Sequence, residues 1–272
     1  MSEISSKMSR RNIFAAATAG AAGLTGLAAL PVQARPAGSP RPLTTPAVEG
    51  PYWVADAPIR RNICEGLVGI PARVVVRVED EAGRPISDAR VDLWHADTMG
   101  VYSGFASQGD ALDVDARGKT YLRGAQITDS EGAVLFDTIF PGWYRSRSTH
   151  LHLKISLAGA VVLTTQFYLP DALNEFVYTK AEAYRRTAVR DTLNSTDKHR
   201  RHAGPTCVAD VRDFGDRYEI SHLVRIDPRA RPPQGLERFP PGAPPLGRAL
   251  GLSDPERTQA LLPPGARITT TE

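Results

Sequence analysis

Hydrophobic and polar residues alternate in short runs through the middle of this chain, and long helical periodicities are scarce. Val74-Val75-Val76-Arg77-Val78 predicts a strand, Asp80-Glu81-Ala82-Gly83-Arg84-Pro85 a turn, and Ala89-Arg90-Val91-Asp92-Leu93-Trp94 a second strand. Thr128-Asp129-Ser130-Glu131-Gly132 predicts a hairpin turn ahead of a strand over 134–139. Residues 157–160 predict a turn ahead of a strand over 161–168 that carries Gln166. Residues 208–211 and 218–226, about a turn at Phe214-Gly215-Asp216, predict a closing hairpin. The period-two pattern fails over 171–201. There Ala181 to Arg186 suggests a short helix, and the stretch holding His199 and His202 a solvated loop. Strands of this length and spacing predict an all-β fold, a β-sandwich with little helix and long loops gathered at one end.

The sharpest alternation is His150-Leu151-His152-Leu153-Lys154-Ile155. Side chains on a strand point to opposite faces in turn, so the aliphatic residues enter a core while both imidazoles share the other face. By itself a His-x-His strand is an ordinary polar face. Two tyrosines change the picture: Tyr144, reached through Pro141-Gly142-Trp143, and Tyr102 in the loop Gly100-Val101-Tyr102-Ser103-Gly104. Phenolate with imidazole suits a hard trivalent cation, because a phenol of pKa ~10 stays ionised at neutral pH only beside strong positive charge. Zinc sites favour Cys and His, and ferrous facial-triad sites use two His and a carboxylate, so this donor set points away from both. Trp94 and Trp143 read as packing residues, and His95 and His222 as structural ones.

The 272 residues suffice for a sizeable core, and a net charge of +3 spread along the chain gives no footprint for nucleic acid. Ser9-Arg10-Arg11-Asn12-Ile13-Phe14, an Ala/Gly/Leu run and Val32-Gln33-Ala34 have the pattern of a twin-arginine export signal over 1–34. A periplasmic or secreted protein is expected. The run is too short and too rich in Ala and Gly for a membrane span, which needs ~20 apolar residues. A Pro/Gly/Ser/Thr-rich linker over 35–47, a domain over 48–228 and a Pro-rich irregular tail over 229–272 complete the organisation. Cys64 and Cys207 are enough for one disulfide, and the sequence leaves their pairing open.

Several motifs, in order, resemble the intradiol ring-cleavage dioxygenases, the family of the catechol and protocatechuate dioxygenases. They are Glu49-Gly50-Pro51-Tyr52, Val91-Asp92-Leu93-Trp94, Gly100-Val101-Tyr102, Leu122-Arg123-Gly124, Thr128-Asp129 with Gly132, Pro141-Gly142-Trp143-Tyr144, Arg147 with His150-Leu151-His152, and Thr165-Gln166-Phe167-Tyr168. The resemblance implies a prealbumin- or transthyretin-like β-sandwich holding one mononuclear non-haem Fe(III) through Tyr102, Tyr144, His150 and His152. It implies cleavage of a catechol-type ring by O2 to a cis,cis-muconate-type diacid, with Tyr144 giving way to substrate. Arg147 and Gln166 would stand beside the ring, and Val48 and Pro51 would line the cleft. Which catechol is the substrate, and the oligomeric state, stay open. The contrasting reading is a non-catalytic exported sandwich module that binds a ligand or carbohydrate and has no need of two tyrosines.

Overall fold

The computed structural model describes residues 42–231. The signal over 1–34, the linker as far as 41 and the tail from 232 onward lie outside the described residues. Eight strands follow in order: β1 (Pro71–Asp80), β2 (Arg90–Trp94), β3 (Arg123–Ile127), β4 (Ala133–Ile139), β5 (His150–Leu157), β6 (Ala160–Tyr168), β7 (Asp210–Asp213) and β8 (Tyr218–Ile226). One four-stranded sheet runs β4-β1-β8-β7 and the other β3-β2-β5-β6. Among these eight strands of the described residues, only β1 and β8 pair in parallel.

Both sheets turn an apolar face to one core. Val74, Val76 and Val78 of β1, Phe136 of β4, and Ile220 and Val224 of β8 meet Val91 and Leu93 of β2, Leu151, Leu153 and Ile155 of β5, and Phe167 of β6. Burial of a side chain of this size contributes ~1.5–3 kcal/mol, and a slip of one residue would expose the whole set. The intervening positions therefore stand on the outer face of the second sheet. Trp94 and Gln166 both lie opposite His152, and Tyr168 lies opposite His150.

That outer face is also buried, because residues 44–54 run across it as a strap. Ala47 N–H donates to the Thr164 carbonyl at 2.9 Å, and Gln166 Nε2 donates to the Val48 carbonyl at 2.8 Å. Lys154 pairs with Glu49 and lies 3.6 Å above the Trp53 ring. The chain then passes on: Arg60 N–H reaches Ala125 O and Ala125 N–H reaches Pro58 O, while Ile63 N–H reaches Asp137 O and Asp137 N–H reaches Arg61 O, all at 2.9–3.0 Å.

Three sequence expectations are corrected. The turns at 80–85 and 128–132 both form locally and each carries the chain from one sheet to the other, so 128–132 does not close the expected hairpin. Asp88, at φ +57°, bends the chain away after β1, and Thr128 stitches the two crossings by accepting from Ala89 N–H (2.9 Å) and donating to Ile86 O (2.8 Å). Residues Asp171–Lys180 form helix α1, upstream of the expected one; over 181–186 there is only a 3-10 turn, Glu182–Tyr184. The stretch with His199 and His202 is helix α2 (Lys198–Ala203), not a loop, because Asp197 caps it. Cys64 and Cys207 are free thiols.

Candidate metal centre

Two loops cross above β5, and glycine lets them touch. A Cβ on Gly100, whose φ is +82°, would overlap the Trp143 carbonyl oxygen, and a Cβ on Gly142 would overlap the carbonyl oxygens of Asp97 and Thr98. Gly142 N–H donates to Asp97 O at 3.0 Å, and Asp97 Oδ1 accepts from Met99 and Val101 N–H at 2.9 Å. This crossing brings Tyr102 and Tyr144 edge to face, with ring centroids 5.6 Å apart.

Beneath them stand the two imidazoles. Tyr102 Oη lies 3.1 Å from His152 Nε2 and 3.4 Å from His150 Nε2, Tyr144 Oη lies 3.1 Å from His150 Nε2, and the two Nε2 atoms are 3.1 Å apart. Donors about 2.0–2.2 Å from one small cation stand roughly 3–3.5 Å from one another, so this spacing fits four ligands of a single ion. His150 Nδ1 lies 2.7 Å from the Ser148 carbonyl, which can only accept, so the ring proton sits there and Nε2 offers a lone pair. His152 Nδ1 is buried without a partner among the described residues; its ring is held by stacking on Trp94. Among the described residues no three His, Cys, Asp or Glu side chains gather as a metal site, so the donor set is two phenols and two imidazoles.

Burial sets the charges. It raises the Tyr144 phenol to about 12, against the lowering effect of Arg147, and it holds the Tyr102 phenol well above its ordinary range. Burial first, and the positive charge of Arg147 with it, holds both imidazoles well below their ordinary range. All four donors are neutral at pH 7 in the metal-free protein. Only a cation of high charge would draw two protons off such phenols, which is the fit expected of ferric iron.

The remaining predicted residues gather around this centre. Arg147 is buried, whereas Arg145 points out and approaches Asp110 at 3.6 Å. Gln166 is committed on both sides: Oε1 accepts from Arg147 Nη2 (2.6 Å) and the Tyr168 hydroxyl (3.0 Å), and Nε2 holds Val48 O. Val48 and Pro51 belong to the strap, with Gly50 against His152 and Tyr52 stacked on Tyr102 at 4.4 Å. His95 bonds Ala96 O and Thr138 Oγ1, each at 2.8 Å, and His222 stacks on Phe167; both are structural. Sequence reasoning gave no role to Arg123, which is buried and ties Tyr52 O (2.6 Å) to Ser103 O (2.7 Å) beside Tyr102. It also passed over Asp197 and Tyr168, which grip Arg147. Strand pairing with the histidines was the one available signal, and it marks Tyr168.

The protein-family model described as Dioxygenase matches residues 48–215. The chain belongs to this dioxygenase family. Family relatives include chlorocatechol 1,2-dioxygenase of Pseudomonas putida, 28% identical over 146 residues, 46% of this chain and 53% of that protein. Hydroxyquinol 1,2-dioxygenase of Rhizobium sp. (strain MTP-10005) is 30% identical over 148 residues, 46% of this chain and 47% of that protein. The chain thus spans about half the length of the curated relatives it matches. A solved family structure, the intradiol ring-cleavage dioxygenase from Tetranychus urticae, superposes with a TM-score of 0.64 at 28% identity, covering 70% of this chain and 97% of that one.

Proposed function

We propose that this chain is a non-haem Fe(III) intradiol dioxygenase. It cleaves a catechol-type ring between the two hydroxyl-bearing carbons and places both atoms of O2 in a cis,cis-muconate-type diacid. The observation that carries the reading is the convergence of Tyr102, Tyr144, His150 and His152 at 3.1–3.4 Å. The substrate class is supported by the relatives, a chlorocatechol 1,2-dioxygenase and a hydroxyquinol 1,2-dioxygenase.

Ferric iron held by these four residues would supply the charge that binds a catecholate and opens its ring to O2. The chain's own residues divide the rest. Tyr102 is fully buried and stacked on Tyr52, so with iron bound it would be the fixed phenolate ligand. Tyr144 is half-buried on a loop, and with iron bound its phenolate Oη would be the group placed to accept a proton from an incoming catechol. Arg147 offers fixed positive charge to the ring as negative charge develops there, without reorganisation. Gln166 serves by fixing Arg147 and the strap. Val48 and Pro51, on that strap, form one wall of the cleft.

Two four-stranded sheets on one core support a transthyretin-like β-sandwich over 48–228. The twin-arginine pattern over 1–34 supports export to a periplasmic or secreted location. Among the described residues no helix is long and apolar enough to cross a membrane. Cell fractionation of the Arg10→Lys/Arg11→Lys variant tests export, and unchanged export would remove the signal reading.

The deciding experiment is the visible spectrum of the purified protein with anaerobic catechol, followed by oxygen uptake and diacid analysis. A tyrosinate-to-ferric band that shifts with catechol and is lost in Tyr102→Phe is expected. A colourless, iron-free protein after ferric reconstitution would leave the binding-module reading.

A further inference from the structure

The two carboxylate oxygens of Asp197, a buried residue, have different tasks. Oδ1 caps α2, accepting from His199 N–H at 2.8 Å and Arg200 N–H at 3.1 Å. Oδ2 serves the segment that leads into β5, accepting from Arg147 Nε at 2.9 Å, Ser148 N–H at 2.9 Å and the Ser148 hydroxyl at 3.3 Å. The Ser148 carbonyl in turn receives the Nδ1 proton of His150. On its other arm Arg147 donates from Nη2 to Gln166 Oε1 at 2.6 Å and to the Tyr168 hydroxyl at 3.0 Å. Among the described residues no acceptor meets Nη1. A guanidinium is a rigid planar fork, so fixing two nitrogens fixes the third.

We propose that Asp197 is a positioning residue, holding the Arg147 guanidinium so that Nη1 stays free for the substrate, with Tyr168 as the opposing arm; this rests on the dioxygenase reading. A carboxylate that only capped α2 would need neither the second oxygen nor its burial against Arg147. Two features separate the roles. Asn is as good a helix cap as Asp, and its amide keeps an oxygen for His199 and Arg200. Its NH2 would then face the Arg147 and Ser148 donors, and the grip is lost.

Asp197→Asn is therefore expected to keep α2 and the visible band of the iron-loaded protein, to leave KM within about threefold, and to lower kcat by about 10²-fold, as for a misplaced active group. In an Arg147→Gln background, the same change is expected to alter turnover by less than about twofold, since coupled residues are not additive. In the metal-free protein, the Arg147 Nε–H resonance is expected to be protected from exchange in the wild type and to lose that protection in Asp197→Asn. Should the Asn variant not fold, Asp197→Ser, also a cap, takes its place in each measurement. Wild-type kcat in the variant, or an equal loss in both backgrounds, overturns the positioning role while leaving the dioxygenase reading intact. A wild type that neither binds iron nor cleaves catechol overturns both.

Discussion

Trp94 lies face to face with His152, ring centroids 4.8 Å apart and planes within 13°. The two residues are directly paired across β2 and β5, so sheet register sets the plane of the imidazole. Trp94→Leu keeps an apolar residue there but removes the flat support. Iron retention under chelator challenge is expected to weaken about 10- to 100-fold, the range for groups that orient a metal ligand. Trp94→Phe is expected to restore most of it; equal losses in the two variants would mean that Trp94 only fills space.

Tyr102 Oη is crowded by two imidazole nitrogens, at 3.1 and 3.4 Å. In the metal-free protein, removing that hydroxyl is expected to change stability by less than about 1 kcal/mol, near the net worth of one hydrogen bond. Iron binding to the folded state alone raises the melting temperature. The gap between iron-loaded and metal-free melting temperatures should be clear in the wild type and collapse in Tyr102→Phe. A gap that survives would place the ion elsewhere.

His95 and His222 are buried, and burial lowers each from 6.5 to about 4. Between these values the unfolded chain binds more protons than the folded one, so stability falls as pH falls from 6.5, and the loss is complete below about 4. The slope is up to about 1.4 kcal/mol per pH unit for each histidine. His222 stacks on Phe167 at 4.7 Å and its Nε2 has no partner among the described residues, so His222→Phe keeps the stack and removes the titration. The stability difference between pH 7.5 and pH 5, from urea unfolding, is expected to shrink by about 2 kcal/mol. An unchanged difference would assign the acid sensitivity to other groups.

Gly100 combines a left-handed backbone with direct contact to the Trp143 carbonyl. Gly100→Ala is expected to cost about 1–3 kcal/mol in strain and about 1–3 more in overpacking, and to strip the iron, because Tyr102 and Tyr144 move apart. Gly118→Ala is the control: its φ is +73° with nothing within 4 Å of a Cβ, so only the strain applies. Urea midpoints and iron content check both, and equal effects would separate the loop crossing from the metal site.

Much of the fold was legible because it was written locally. β5 announced its two faces by alternation, and the hairpins at 157–160 and 214–216 had their own turn chemistry. The partnership of the sheets was not legible, since crossing depends on Asp88 and on Thr128 bonding to residues around 40 positions away. Helix α1 escaped notice because its buried face includes two polar residues, Asp171, paired with Arg190 19 positions away (2.7 Å), and Asn174, which donates to Leu169 O (3.1 Å). β3 was hidden because its site-facing residue, Arg123, is charged and its neighbours Gly124 and Ala125 are small. In the metal centre the four donors carried motif and spacing. Asp197 carried neither, standing 50 positions from the arginine it holds.

The segment from 44 to 63 does more than roof the centre. Besides a bond from Thr44 N–H to Arg225 O on the inner strand β8, its backbone bonds fall on β6 at Thr164, on β3 at Ala125 and on β4 at Asp137, which are three of the four outermost strands of the two sheets. The fourth, β7, is four residues long, Asp-Val-Arg-Asp, and charged at three of them. Among the described residues, each outer strand thus either carries backbone bonds from this segment or is short and charged, the two devices that make a sheet edge a poorer template for a neighbour's strand.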